Sequence, residues 1–267
     1  MGKIISIANN KGGVGKTIVS INLASAIAMK KKRVLVIDAD PQSNTTMALL
    51  PRTIHLKNTM YEILDPDITD FEYDINTFIY PTIRNSVNLL PNIIDSAGHE
   101  ISLIKKISEG RNPYLILRSR LRKFCLENFD YVLIDNMPSL GIFLSLTFNM
   151  SDLVIIPVDV GSASSMVGVE RILDLMEGIQ ATSNPDLNSA RIIMNRVDKR
   201  VSACLANIEN TKHKFGVENI FVATIPSSAD FQTAEALPPN TIFSHNSKSK
   251  GAHAFRKIAE EFLDKGL

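Results

Sequence analysis

The feature that most restricts this chain is a glycine-rich turn, Lys11-Gly12-Gly13-Val14-Gly15-Lys16-Thr17, set between an apolar run at residues 3–8 and a stretch of helical spacing at 17–29. Strand, glycine turn and helix in that order are the setting in which backbone N–H groups turn inward and cradle phosphate oxygens. Glycine permits the close approach of backbone to ligand, and a helix starting near Lys16 adds the positive end of its dipole. Lys16 would reach the β- and γ-phosphates, and Thr17 would place its hydroxyl on Mg²⁺. A turn that merely joins strand to helix does not account for Lys-Thr at that place. The residues expected around the phosphates are Lys11, Gly12, Gly13, Val14, Gly15, Lys16, Thr17 and Ile18.

The rest of the chain alternates. A basic tetrad at 30–33 closes the first helix, where cations favour the negative helix end. Residues 34–37 are a continuous apolar run followed by Asp38, and a run without alternation suits a strand covered on both faces. Further strands are expected at 131–134, 153–157 and 190–194, with a short last one at 220–224. Helices are expected at 43–50, 59–64, 96–108, 114–128, 163–179 and 250–263, with an extended piece at 87–90. Strands alternating with helices predict an α/β fold, a mainly parallel twisted sheet with helices on both faces. Residues 1–267 read as one domain, with 51–115 the candidate variable subdomain.

Composition narrows the function classes. The chain has 267 residues, 45% apolar and 21% charged, and 29 basic against 28 acidic residues leave a formal charge of +1. Nucleic-acid binding would therefore need a local patch. Cys125 and Cys204 stand far apart, outside any C-x-x-C pair, and read as reduced structural thiols. No apolar run approaches the ~18 residues of a membrane span, and no basic-then-apolar leader is visible. Met1-Gly2-Lys3-Ile4-Ile5-Ser6 matches an N-myristoylation pattern, but those residues read better as the buried first strand. A cytoplasmic location is expected.

The general phosphate-loop pattern is G-x-x-x-x-G-K-[ST]; here Asn10 replaces its first glycine and Lys11 follows. This resembles the deviant Walker A motif, K-G-G-x-x-K-[ST], of the ParA, MinD and nitrogenase iron protein superfamily of P-loop NTPases. The resemblance implies an ATPase with ATP and Mg²⁺ as cofactors, and a homodimer in which Lys11 crosses to the partner's nucleotide, like an arginine finger in trans. Asp38-Ala39-Asp40-Pro41-Gln42 looks like the family's D-x-D-P-Q. That match puts Asp38 in the Mg²⁺ shell and gives Asp40 the attacking water; capping the helix at 43–50 is the other role open to Asp40. Asp135 ends an apolar strand in Walker B fashion and would hold Mg²⁺ through water. The family usually continues D-[TC]-[PA]-P, where this chain has Asn136-Met137-Pro138. In relatives an asparagine placed like Asn195 bonds adenine, and Pro226 resembles the proline bordering it; Asn195 could instead be a strand-end turn residue.

Within the superfamily, Asn10, the run Asp40-Pro41-Gln42-Ser43-Asn44 and the tail Ser249-Lys250-Gly251-Ala252-His253-Ala254-Phe255 resemble the ParA/Soj partition ATPases. The loop near residue 10 leaves no room for a preceding helix-turn-helix. The apolar residues Phe255, Ile258, Ala259, Phe262 and Leu263 are expected to pack on the sheet, so no membrane contact is expected. The resemblance implies non-specific DNA binding in the ATP state, hydrolysis stimulated by a ParB-type centromere-binding protein, nucleoid association, and a role in plasmid or chromosome partitioning. Candidate DNA residues are Arg196, Lys199 and Arg200, then Lys212 and Lys214, with ordinary solvated charges as the alternative. Arg118, Arg120, Arg122 and Lys123 form another basic cluster that helical spacing would scatter. Two other functions stay open: a ParA-like ATPase that positions a non-DNA cargo, and a metabolic P-loop enzyme of the same superfamily.

Overall fold

A computed structural model describes residues 2–51, 53–68, 71–83, 86–162, 165–236 and 241–267. The strands are β1 (Lys3–Ile7), β2 (Val34–Asp38), β3 (Tyr80–Pro81), β4 (Val87–Leu90), β5 (Tyr131–Asp135), β6 (Leu153–Asp159) and β7 (Ser189–Asn195). They form a seven-stranded sheet in the order β3-β4-β2-β5-β1-β6-β7. Only β3 runs antiparallel to its neighbour; every other pairing is parallel. This is the expected α/β architecture. β1 lies centrally, flanked by β5 and β6, at the kind of position where open α/β sheets bind ligands beyond their carboxyl ends.

Helices α1 (Lys16–Ala28), α2 (Asn44–Leu49), α3 (Met60–Leu64), α4 (Gly98–Ser108), α5 (Lys123–Asn128), α6 (Ile142–Met150), α7 (Ser165–Thr182), α8 (Ser202–Phe215), α9 (Ala229–Ala236), α10 (Ile242–Asn246) and α11 (Lys250–Asp264) cover both faces. The period-2 alternation of strand side chains divides the core. Ile5, Ile7, Val34 and Val36 pack with α1, α10 and α11. Ile4, Leu35, Ile37 and Val132 face the other way, onto α3–α6. Val154, Ile156 and Met194 pack under α7 and α8.

The helix α1 is apolar on nearly every side because it lies between the sheet and α11; among its residues only Thr17 and Ile18 escape full burial. Its buried polar residues find partners both within the helix and across the fold. Ser25 donates to the Ile21 carbonyl at 2.7 Å, and Asn22 accepts the Ile242 N–H at 2.8 Å. The C-terminal helix α11 starts at Ser249, whose hydroxyl accepts the Ala252 N–H. Its apolar stripe of Phe255, Ile258, Ala259 and Phe262 is fully buried, as expected. Among the described residues no helix is long and apolar enough to cross a membrane.

Several boundaries differ from expectation. The strand expected at 220–224 is reduced to isolated bridges, Ile192 with Ile220 and Val197 with Pro226. Between them the Val222 and Ala223 N–H groups turn away from β7 and donate to the Glu261 carboxylate on α11. Residues 163 and 164, the expected start of the helix at 163–179, lie outside the described residues. The helix expected over 114–128 contains a π-helical stretch at Arg118–Arg122 before α5. Its arginines point to different partners: Arg118 to the Asn149 carbonyl and Asn184, Arg120 to the Ile63 and Asp65 carbonyls, Arg122 to the Met150 carbonyl and Asp152. The basic cluster is scattered as expected, and its charge is spent on tying the helical layer together.

Phe262 is fully buried and meets Tyr131 edge-on at a ring distance of 5.3 Å. Phe262→Ala is expected to cost about 3–5 kcal/mol of stability, read as a lower urea midpoint with an unchanged slope.

Candidate functional site

The carboxyl ends of the parallel strands carry polar residues along one edge. Asp38 ends β2, Asp135 ends β5, Asp159 ends β6 and Asn195 ends β7, while β1 runs on into Asn9 and the glycine turn. Register places Asp38 beside Asp135 and Asp159 beside Asn195.

The turn is anchored at both ends. Asn9 is buried; its amide donates to the Pro157 carbonyl at 2.8 Å and its Oδ1 accepts the Lys11 N–H at 3.0 Å. Gly168 on α7 presses against this start: a Cβ there would lie 2.2 Å from Asn9 Oδ1 and 2.7 Å from Asn10 Oδ1. Gly13 (φ 74°) and Gly15 (φ 94°) adopt left-handed backbone, which glycine enters without strain. A Cβ at Gly12 or Gly13 would meet nothing within 4 Å, so this side of the turn is open. Lys16, at the start of α1, is nearly buried and its Nζ donates to the Lys11 carbonyl at 3.2 Å. Burial pulls its ammonium below the usual lysine range, against the favourable charges of Asp135 and Asp40. Lys11 reaches Ser162 Oγ of its own chain at 2.7 Å. Ile18, next to Thr17 on α1, remains partly exposed.

Asp135 accepts from Thr17 Oγ1 at 2.8 Å, Thr45 Oγ1 at 2.6 Å and Ser20 Oγ at 3.0 Å. Asp38 accepts from the Thr46 N–H and hydroxyl at 2.8 and 2.7 Å, and from the Asp40 N–H at 3.2 Å. Thr46 Oγ1 also accepts the Asn92 N–H at 3.0 Å. Both carboxylates are buried. Desolvation first, then the neighbouring Asp135, pushes Asp38 up to about 8; desolvation also raises Asp135, against the hydroxyls and Lys16. Two adjacent buried carboxylates resist ionising together, and a divalent cation relieves both. The donor set is all oxygen, and among the described residues no group of three or more His, Cys, Asp or Glu is placed to hold a metal ion by itself. That suits Mg²⁺, which takes few protein ligands and completes its shell with water and phosphate. Thr17, Asp38 and Asp135 are the residues that would hold it.

Asp40 is half-buried, and its Oδ1 accepts the Gln42 N–H at 2.9 Å. It caps that turn and not α2, whose N-cap is Ser43 at φ 57° without a side-chain cap bond. Asp40 therefore lies close enough to Lys16 to act on its charge while its second oxygen has no hydrogen bond among the described residues. Asn136 is buried, donates to the Ile7 and Ile134 carbonyls and accepts from Thr147 Oγ1 at 2.6 Å. Its departure from the expected motif ties β1, β5 and α6 together. Asn195 donates to the Val14 carbonyl at 2.7 Å, so it touches the phosphate turn directly. Pro226 is bridged to Val197, two residues beyond Asn195.

Arg196, Lys199 and Arg200 share the turn after β7. Arg196 (φ 56°) pairs with Asp159 at 3.1 Å, and Arg200 holds Asp198 through both Nε and NH2 at 2.9 and 2.7 Å. Lys199 is exposed. Lys212 and Lys214 pair with Glu209 and Glu170. Sequence reasoning missed Ser20, Thr45, Thr46 and Gly168. Ser20 was accessible, three residues after Thr17 on the same helix face; Gly168 carries no signal until α7 is docked.

The chain matches known proteins along its whole length. Residues 2–189 match a family model described as an AAA domain. The chain is 31% identical over 266 residues, covering all of both proteins, to the sporulation initiation inhibitor protein Soj of Bacillus subtilis. It is 28% identical to the chromosome partitioning protein ParA of Myxococcus xanthus, across 98% of this chain and 88% of that one. Among solved structures it resembles cobyrinic acid a,c-diamide synthase of Mycobacterium smegmatis crystallised with an ATP analogue and magnesium, with a TM-score of 0.80, 25% identity and coverage of 100% and 98%.

Asp38 binds a proton in the folded, nucleotide-free protein that the unfolded chain releases near 3.8. Folded stability should therefore fall as pH rises from about 4 to about 8, by at most about 1.4 kcal/mol per pH unit. Asp38→Asn should flatten that fall, so thermal melts at pH 5 and 8 without nucleotide should lie closer together than in the unaltered protein.

Proposed function

Because this chain belongs to the ParA/Soj family of partition ATPases, we propose that it is an ATP-dependent dimerisation switch for plasmid or chromosome partitioning. In this reading residues 1–267 act as one ATPase unit, Mg-ATP assembles a dimer that binds DNA without sequence preference, and ParB-stimulated hydrolysis releases it. One observation supports it above others: Lys16, Thr17, Asp38, Asp40 and Asp135 meet below an open glycine turn at the carboxyl edge of the sheet.

The turn's N–H groups and Lys16 bind the triphosphate and hold its charge. Mg²⁺, when bound, would neutralise phosphate charge, and Thr17, Asp38 and Asp135 would hold it. Thr17 donates its proton to Asp135, which leaves its hydroxyl oxygen able to serve a cation. Asp40 orients the attacking water and accepts its proton through the carboxylate oxygen left without a partner. Lys11 leaves Ser162 and reaches the nucleotide of a second copy, bringing positive charge where phosphate charge grows. Asn195 and Pro226 border the base. For DNA, Arg196, Lys199 and Arg200 form the candidate surface, with Asp159 and Asp198 competing for the two arginines. Surface ion pairs of this kind are worth only about 0–1 kcal/mol, so phosphates can displace them.

Two other readings share the same fold. A non-DNA cargo would give an ATP-dependent dimer that ignores DNA. A ligase-like metabolic role, in line with the solved synthase, would make turnover depend on a small acceptor.

Lys16→Ala is expected to abolish ATP binding. Lys11→Ala should bind ATP yet elute as a monomer in its presence; an ATP dimer from this variant would remove Lys11 from the interface. Asp40→Ala should keep ATP, lose at least about a hundredfold in hydrolysis and stay dimeric. On DNA, that trapped form should be retained in ATP and not in ADP, with affinity falling steeply between 50 and about 200 mM salt.

A further inference from the structure

We propose that Asn195 is a positioning residue of the phosphate turn, whatever it also does for the base; this rests on the ATP reading above. Asn195 closes β7, a strand paired with β6 along all seven of its residues, and is 3% exposed. Its side-chain amide is fixed from both ends. Oδ1 accepts the Arg196 N–H at 2.8 Å, and Nδ2 donates to the Val14 carbonyl at 2.7 Å. Turning the amide over would set its oxygen against the Val14 oxygen and its NH₂ against the Arg196 N–H, so one orientation is imposed.

The contact extends to the next residue. A Cβ on Gly15 would lie 2.3 Å from Asn195 Nδ2, so the Gly15 backbone rests directly on the amide. Peptide planarity then carries the effect further. The Val14 carbonyl and the Gly15 N–H belong to one trans peptide and point in opposite directions. Gripping the carbonyl from the β7 side aims the Gly15 N–H away from β7. The gripped carbonyl lies two residues before Lys16, and Gly15 between them is the N-cap of α1. A rigid strand end therefore sets the peptide plane from which the phosphate ligands project. The strained Arg196 backbone, at φ 56°, is held by the other end of the same side chain.

A residue that serves only the base and one that sets the turn make different demands on a ligand without a base. The experiment compares Mg-ATP with Mg-tripolyphosphate, by calorimetry, on the unaltered protein and on Asn195→Ala. Thermal melts without ligand check folding, and Asn195→Ser is the second variant if the alanine form melts early. Loss of one buried hydrogen bond to the turn should weaken both ligands alike, by roughly threefold to tenfold. Weakened ATP with unchanged tripolyphosphate would reduce Asn195 to a base contact and overturn the proposal. Unchanged affinity for both would overturn it as well. If the unaltered protein bound neither ligand, the ATP reading itself would fall and take this proposal with it.

Discussion

The carboxylate of Asp135 accepts hydrogen bonds from Thr17, Ser20 and Thr45, and the rest of the edge is arranged around that node. Thr17 and Ser20 bring the first turn of α1 onto the end of β5. Thr45 brings α2 and the loop before it, which carries Asp40, onto the same carboxylate, beside Asp38, which register already places there. Without this convergence, Asp135 would stand beside the buried Asp38 with only Lys16 to oppose its charge. The hydroxyls and Lys16 partly offset the desolvation of Asp135, whereas Asp38, fully desolvated and with Asp135 beside it, is left well above the carboxylate range despite its three donors. Electrostatic strain at this edge is therefore a standing property of the fold, and a cationic ligand relieves it.

Much of this was legible in the amino-acid sequence, for identifiable reasons. The continuous apolar runs ending in Asp38 and Asp135 suit strands buried on both faces, and parallel pairing carries their last residues to one edge. The glycine turn declares itself because Lys16 and Thr17 follow it at once. What escaped depends on contacts between segments distant in the chain. Gly168 touches Asn9 and Asn10 only after α7 has packed. Thr45 and Thr46 look like ordinary helix residues until α2 is laid over β2 and β5. The strand expected at 220–224 is broken in the middle, where Glu261, about 40 residues further on, takes the Val222 and Ala223 N–H groups while Phe221 and Ile225 still donate to β7; local propensity contains no trace of that competitor.

Basic residues show the same limit. Arg118, Arg120 and Arg122 and the group at 196–200 look alike as a string of charges. The first set is tied to carbonyls and carboxylates within the helical layer. The second stands on a strand-end turn, paired only with neighbouring acids and partly open to solvent. Position, not charge, separates a brace from a surface that phosphate can reach.

Helix α1 runs from the phosphate turn through the middle of the molecule, walled in by the sheet on one side and α11 on the other. A rod so enclosed has nowhere to slide. It works as a fixed mast: any shift of the turn at its head falls on the side chains that border the turn, Lys11 against Ser162 and Asn195 against Val14, and not on the helix behind it.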